Sequence, residues 1–164
     1  MHESSMEVMK FLLSKYVLSK GSVLDVGSMN LNGTYKSLIP FYCSYTGLDL
    51  EPGDNVDIVS KDLYQWPIKD NSYDVVISGQ CLEHVEDTHA WIKEVYRVCR
   101  PGGLTIIVAP WSCGEHRFPV DCWRIFPDGM RFLFEKVAGF FLVEVGRNEK
   151  GIYDLGDTWG VGRK

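Results

Sequence analysis

The chain has 164 residues and a formal net charge of −5, which fits one domain with a real core, spanning 1–164, and argues against a nucleic-acid backbone as the main partner, since no run of clustered Lys and Arg is present. No apolar stretch approaches the roughly 18 to 20 residues that cross a bilayer, so no membrane partner is expected. Cys43, Cys81, Cys99, Cys113 and Cys122 are odd in number without a CxxC pair, and Met1-His2-Glu3-Ser4-Ser5 lacks a basic start and apolar run; both features predict a cytoplasmic protein in a reducing compartment.

In chain order, Ser4 with Glu7 reads as a capping box. Val8, Leu12, Tyr16 and Met9, Leu13, Val17 then recur at helical spacing, until Lys20-Gly21 ends the helix. Residues 22–26 form a short apolar strand that runs into Gly27. Residues 45–49 read as a second strand, 56–59 as a third, and 73–78 as a fourth, continuous and branched as buried parallel strands are. From 88 to 100 the positions of Trp91, Val95, Val98 and Ile92, Tyr96, Cys99 mark an amphipathic helix stopped by Pro101-Gly102-Gly103. Residues 104–109 are a fifth strand and 127–137 a helix with Pro127 and Asp128 in its first turn. Two closing strands follow, 140–145 and about 157–162, separated only by a loop. The expected fold is α/β: a Rossmann-like, doubly wound, mostly parallel seven-stranded sheet with an antiparallel C-terminal edge hairpin and helices on both faces.

In such sheets a ligand sits outside the carboxyl ends of the strands, where the strand order reverses. Four strand ends here carry suitable groups for one nucleoside-containing ligand. Gly27 permits close backbone approach. Asp49, about 20 residues on, can accept two hydrogen bonds from a ribose diol. Asp62-Leu63 offers a carboxylate beside a backbone N–H, a pair able to read an adenine edge, and Ser78-Gly79-Gln80 supplies small and polar groups for the middle of the ligand. Taken singly, each has a plainer reading as a tight turn, a solvated acid or a cap. A nicotinamide dinucleotide is disfavoured, because its fingerprint needs glycine where Met29 and Asn32 stand.

Over nearly its whole length the chain resembles the class I methyltransferases that use S-adenosylmethionine (SAM). The resemblance lies in Val23-Leu24-Asp25-Val26-Gly27, Thr46-Gly47-Leu48-Asp49, Asp62-Leu63, Tyr73-Asp74-Val75-Val76-Ile77-Ser78, Leu82-Glu83-His84-Val85 and Val98-Cys99-Arg100-Pro101-Gly102-Gly103. It implies SAM as cofactor, with its amino-acid end at Gly27 and Ser28, its ribose at Asp49, its adenine at Asp62 and Leu63, and its methionine portion along Gln80. Asp25, Leu50 and Gly79 complete the implied cofactor set. The family loop often reads Gly-x-Gly-x-Gly; here Met29 and Leu31 replace the later glycines, and Gly33 takes over part of the turn.

Methyl transfer from a sulfonium needs mainly positioning and desolvation, with a base where the acceptor is a hydroxyl. The aromatic, proline-bearing segment 110–126 reads as the acceptor-side wall and lid. Within it His116 is the first choice of base, with Asp121 orienting it or acting instead. Arg117 and Arg124 could bind an anionic acceptor group. Trp123 and His84 are the remaining expected acceptor contacts, each with a plain packing role as its alternative. The spacing of Cys113, His116, Asp121 and Cys122 matches no zinc pattern, so no metal is expected. His-Arg-Phe-Pro-Val-Asp-Cys-Trp-Arg resembles a loop of small bacterial methyltransferases, some acting on sugars or glycan precursors. The expected function is methyl transfer to an oxygen or nitrogen of a small polar acceptor, by a monomer or homodimer. The alternative is a silent SAM-binding or partner-binding module, favoured by the altered loop as Asp25, Asp49 and Asp62 favour the enzyme.

Overall fold

The computed structural model describes residues 3–149 and 155–164; Met1 and His2, read above for a leader, lie outside them. The strands are β1 (Ser22–Val26), β2 (Ser44–Asp49), β3 (Ile58–Val59), β4 (Tyr73–Gly79), β5 (Cys99–Ser112), β6 (Phe141–Arg147) and β7 (Gly156–Arg163). They form one sheet in the order β3-β2-β1-β4-β5-β7-β6. Pairing is parallel from β3 to β5, and β7 runs antiparallel between β5 and β6. The strand order reverses between β1 and β4, the position at which an open α/β sheet leaves a crevice. The expected Rossmann-like sheet with its antiparallel edge is present.

Strand alternation sorts the core into two layers. Val23, Val75, Ile77, Ile106 and Val108 face one side, where α1 (Glu3–Tyr16) lays down Met9, Leu12 and Leu13. Leu24, Val26, Val76, Ile107 and Ala109 face the other, under Trp91, Ile92 and Val95 of α2 (Thr88–Val98) and Met130 of α3 (Pro127–Phe132). Asp87 starts α2 by accepting the His89 and Ala90 N–H groups, a standard side-chain cap. The chain beyond α3 widens into a π turn over Leu133–Ala138, closed by Gly139 at φ +91°.

β7 can enter the sheet because Gly160 and Gly162 leave space for Phe134: a Cβ on either would come within 2.8 and 2.6 Å of its ring. Phe134 is fully buried and stacks on Phe140 at 5.3 Å between centroids. Phe134→Ala is expected to cost about 3 to 5 kcal/mol, since two glycines opposite cannot fill the void. Chemical denaturation would register this as a lower midpoint, and an unchanged midpoint would remove Phe134 as the anchor of the antiparallel edge.

Several elements differ from their sequence expectation for local reasons. Glu3 is already helical and the Ser4 hydroxyl donates to Asp157 Oδ2 at 2.6 Å, so Ser4 ties α1 to β7 in place of capping a helix. β3 is only two residues long, because the Val56 N–H is spent in a turn on the Gly53 carbonyl. α2 stops at Val98, and Cys99 already pairs with Tyr73 in the sheet. β5 runs on through Pro110 to Ser112 because β7 pairs with it from the other side. The lid segment is thereby shortened to 113–126.

Candidate active site

The carboxyl ends of β1, β2 and β4 open onto a cleft of about 780 Å³. Its first wall is the loop after β1. Gly27 adopts φ +79°, and a Cβ there would lie 2.8 Å from Cys81 Sγ, so glycine is required twice over. The Gly27 and Ser28 N–H groups both donate to the Leu48 carbonyl, which folds the loop back on β2. Met29 and Leu31 line the cleft where glycines were absent from the expected pattern, and Gly33 at φ +125° closes the turn.

Asp49 stands in the wall at the end of β2. Its Oδ2 accepts the Met29 N–H at 2.8 Å and its Oδ1 accepts the Leu50 N–H at 2.7 Å. The carboxylate therefore holds the loop closed and keeps further lone pairs for a ligand. Leu50, Leu63, Gly79 and Gln80 also line the cleft. Gln80 takes φ 55°, and its side-chain amide donates to Asp157 Oδ1 at 2.8 Å. Asp157, buried at the start of β7 and tied to Ser4, thus sets the direction in which Gln80 points.

Three residues assigned to the cofactor from the sequence lie outside the wall. Asp25 is 2% exposed and accepts the Tyr45 hydroxyl at 2.8 Å. Burial pushes its carboxyl up to about 7. Ser28 is buried with its hydroxyl on the Asn55 carbonyl. Asn55 itself, at φ 71°, donates to the Ser28 carbonyl, Thr34 Oγ1 and the Tyr45 hydroxyl, and so laces the first loop to the β2–β3 turn. Asp62 is exposed in a neighbouring hollow bordered by Leu63, and its carboxylate accepts the Tyr64 N–H. Glu51, two residues beyond Asp49, is in the cleft wall and was passed over; the signal available was a second acid just past a strand end.

The lid folds over the opposite side, with His116, Arg117, Phe118, Pro119 and Val120 in the wall. Arg124 and Asp121 hold it in shape. The guanidinium donates to both Asp121 oxygens at 2.6 and 2.8 Å and to the Gly114 carbonyl at 3.0 Å. The Arg124 guanidinium keeps the Asp121 carboxyl well below the usual range. Asp121 Oδ2 accepts the His116 backbone N–H at 2.7 Å and lies 3.7 Å from its Nδ1. So Asp121 and Arg124 brace the lid and neither lines the cleft, whereas Arg117 is exposed beside Glu115 at 2.8 Å. Trp123 pins the lid through its indole N–H on the Val85 carbonyl at 2.7 Å.

His84 and His116 come together in the wall, edge to face at 4.9 Å. Behind them lies Glu83, with no exposed side-chain surface. Its Oε1 is 3.7 Å from His84 Nε2 and 3.8 Å from His116 Nε2, too long for hydrogen bonds. The facing Glu83 carboxylate raises the His116 imidazole above its ordinary value, against the opposing effect of desolvation. Nothing in the sequence announced a buried glutamate, since a short helical turn (Leu82–His84) has no periodicity to reveal its inward face.

A seven-stranded sheet with a β5-β7-β6 antiparallel edge and a cleft at the β1/β4 switch point defines a methyltransferase-type Rossmann-like fold. The profile of the methyltransferase-domain family matches residues 24–107, half of the chain. The chain belongs to that family.

The chain is 32% identical over 112 residues to a demethylmenaquinone methyltransferase of Staphylococcus epidermidis, covering 59% of this chain and 46% of that protein. It is 30% identical over 101 residues to 2-methyl-6-phytyl-1,4-hydroquinone methyltransferase 1 of Oryza sativa, covering 57% and 29%. It thus spans less than half the length of either curated relative. Among solved structures it is similar to the 1,6-didemethyltoxoflavin-N1-methyltransferase of Burkholderia thailandensis with bound 1,6-didemethyltoxoflavin and S-adenosylhomocysteine. That match has a TM-score of 0.76 at 17% identity, over 99% of this chain and 79% of that one. Among the described residues no helix is long and apolar enough to cross a membrane.

Proposed function

We propose that this domain binds SAM in the cleft and transfers its methyl group to an oxygen or nitrogen of a small polar acceptor seated under the lid. The observation that carries the reading is Asp49, a strand-end carboxylate inside the cleft that also clamps the loop after β1. In this reading the SAM ribose sits on Asp49, its amino-acid end runs past Gly27 to Gln80, and its adenine packs between Leu50 and Leu63. Asp62 would reach the adenine edge only from the neighbouring hollow, and Asp25 and Ser28 act by holding the loop. The match to a methyltransferase solved with S-adenosylhomocysteine supports the cofactor.

The reaction is an in-line displacement at the sulfonium methyl, so the protein's work is alignment and exclusion of water. Phe118 and Pro119 supply apolar cover. His116 is a polar group on the acceptor side beside His84, its backbone set by Asp121 and Arg124. An acceptor that carries a hydroxyl or amine fits this mixture of rings and imidazoles; the lid segment resembles a loop of small bacterial methyltransferases, some acting on sugars or glycan precursors, which favours a polyhydroxylated one.

Calorimetric titration with SAM, S-adenosylhomocysteine and NAD tests the reading. One equivalent of each of the first two and none of NAD is expected. Binding of NAD, or no SAM binding by folded protein, would overturn it. Stoichiometric SAM binding without methyl transfer to any extract component would leave a cofactor-binding module.

A further inference from the structure

Glu83, His84 and His116 converge on one point at the acceptor side of the cleft, their ligand atoms all within 4.8 Å of one another. We propose that these three side chains bind a divalent first-row transition ion of the zinc type. The case starts from Glu83. Its side chain is fully buried and neither carboxylate oxygen has a hydrogen-bond partner, an arrangement that costs several kcal/mol unless a cation compensates it. No Lys or Arg is paired with it among the described ion pairs; two imidazole nitrogens face it instead.

The histidines are set up as ligands. His84 Nδ1 is 2.6 Å from the Val120 carbonyl, and His116 Nδ1 is 3.1 Å from the Gly114 carbonyl. A carbonyl oxygen only accepts, so each Nδ1 carries a proton and each Nε2 is the ring nitrogen that faces the Glu83 carboxylate. A neutral imidazole nitrogen and a carboxylate repel until a cation, a metal ion or a second proton, stands between them. Backbone carbonyls on the far ring nitrogen are also the usual outer support of a metal-bound histidine. Two imidazoles and one carboxylate form the donor set of a catalytic zinc centre with an open position, and they favour transition ions over magnesium or calcium.

On a common ion, donors at about 2.0 to 2.2 Å lie roughly 3.3 Å apart. The Glu83 oxygen is 3.7 and 3.8 Å from the two imidazole nitrogens and the three donors lie within 4.8 Å of one another, so binding asks for an inward shift, which His116, on the lid, can supply. The ion's open positions would face the cleft and hold an acceptor hydroxyl, whose proton passes to water as the oxygen binds. That acceptor role rests on the methyl-transfer reading; the metal site does not.

The test is titration of the chelator-stripped full chain with Zn²⁺ and, in parallel, Mg²⁺, followed by calorimetry and by the unfolding temperature. One equivalent of Zn²⁺ is expected, with Mg²⁺ bound at least tenfold more weakly, and a higher unfolding temperature with Zn²⁺. Glu83→Gln and His116→Ala should each weaken Zn²⁺ at least tenfold, while the double variant Cys113→Ser/Cys122→Ser keeps wild-type affinity. His116 is partly exposed, so His116→Ala keeps the test readable if Glu83→Gln fails to fold. No Zn²⁺ uptake by folded wild type would overturn the site and leave a proton as the neutralising cation. Loss of uptake in the cysteine variant, or its survival in His116→Ala, would overturn it equally. Failure of the cofactor reading would show separately, as absent S-adenosylhomocysteine binding with Zn²⁺ uptake intact.

Discussion

Replacing Asp49 by alanine is expected to weaken binding of S-adenosylhomocysteine by about ten- to a hundredfold. Hydrogen bonds to a charged group are worth about 1.5 to 3 kcal/mol, and each 1.4 kcal/mol is a factor of ten. Two losses combine at this position. In the proposed binding mode the ribose loses its carboxylate, and the loop after β1 loses the acceptor for the Met29 N–H at 2.8 Å. Met29 and Leu31 stand where the resemblance expects later glycines, and the clamp fixes the backbone at Met29, whose carbonyl in turn accepts the Leu31 N–H beside the cleft. Asp49→Asn keeps one acceptor oxygen and should fall between wild type and Asp49→Ala. Calorimetry on samples with matched circular dichroism decides the matter. Unchanged affinity in folded Asp49→Ala would remove Asp49 from the cofactor site, and a loss confined to Glu51→Ala would move the ribose contact two residues along.

The second large effect concerns stability and pH. Asp25 is buried in β1 and its carboxyl is pushed up to about 7, first by burial and then by Asp49, with only the Tyr45 hydroxyl pulling it down. A carboxyl raised in the folded state binds its proton more tightly there than in the unfolded chain. Its contribution is fully present below about pH 4 and is lost as pH rises through 7. The full penalty at neutral pH is on the order of 4 kcal/mol, from a rise of about three pH units at 1.36 kcal/mol each. Asp25→Asn keeps an acceptor for Tyr45 and has no proton to lose. Relative to wild type it should therefore gain stability steadily between pH 4 and 8, most at the alkaline end. Urea midpoints across that range provide the check. A difference between the two proteins that does not change with pH would show that Asp25 titrates as an ordinary carboxyl.

Asp25 also shows why one class of residue was misplaced. From the sequence it stands beside Gly27 and looks like part of the ligand contact. In the structure Asp25 pairs with Gly47 in the sheet and is held by Tyr45, 20 residues away. Its partner decides its role, and the partner belongs to another strand. Ser28 follows the same rule through Asn55, and Asp121 through Arg124, each of them bracing a loop that others line.

The sequence by itself determined the sheet and the rim of the cleft. Branched apolar runs such as Val75-Val76-Ile77 and Ile106-Ile107-Val108 must be buried on both faces, which demands parallel strands covered by helices. Glycine at 27 and an acid at 49 fall at strand ends for the same periodic reason. Only the tertiary structure decided what faces what. The inward turn of Glu83, its approach to His84 and His116, and the hold of Asp157 on Gln80 all join residues whose separation along the chain carries no periodic signal. They meet because β7 inserts between β5 and β6 and the lid folds back over Glu83, and strand order and loop path are settled by packing between distant segments.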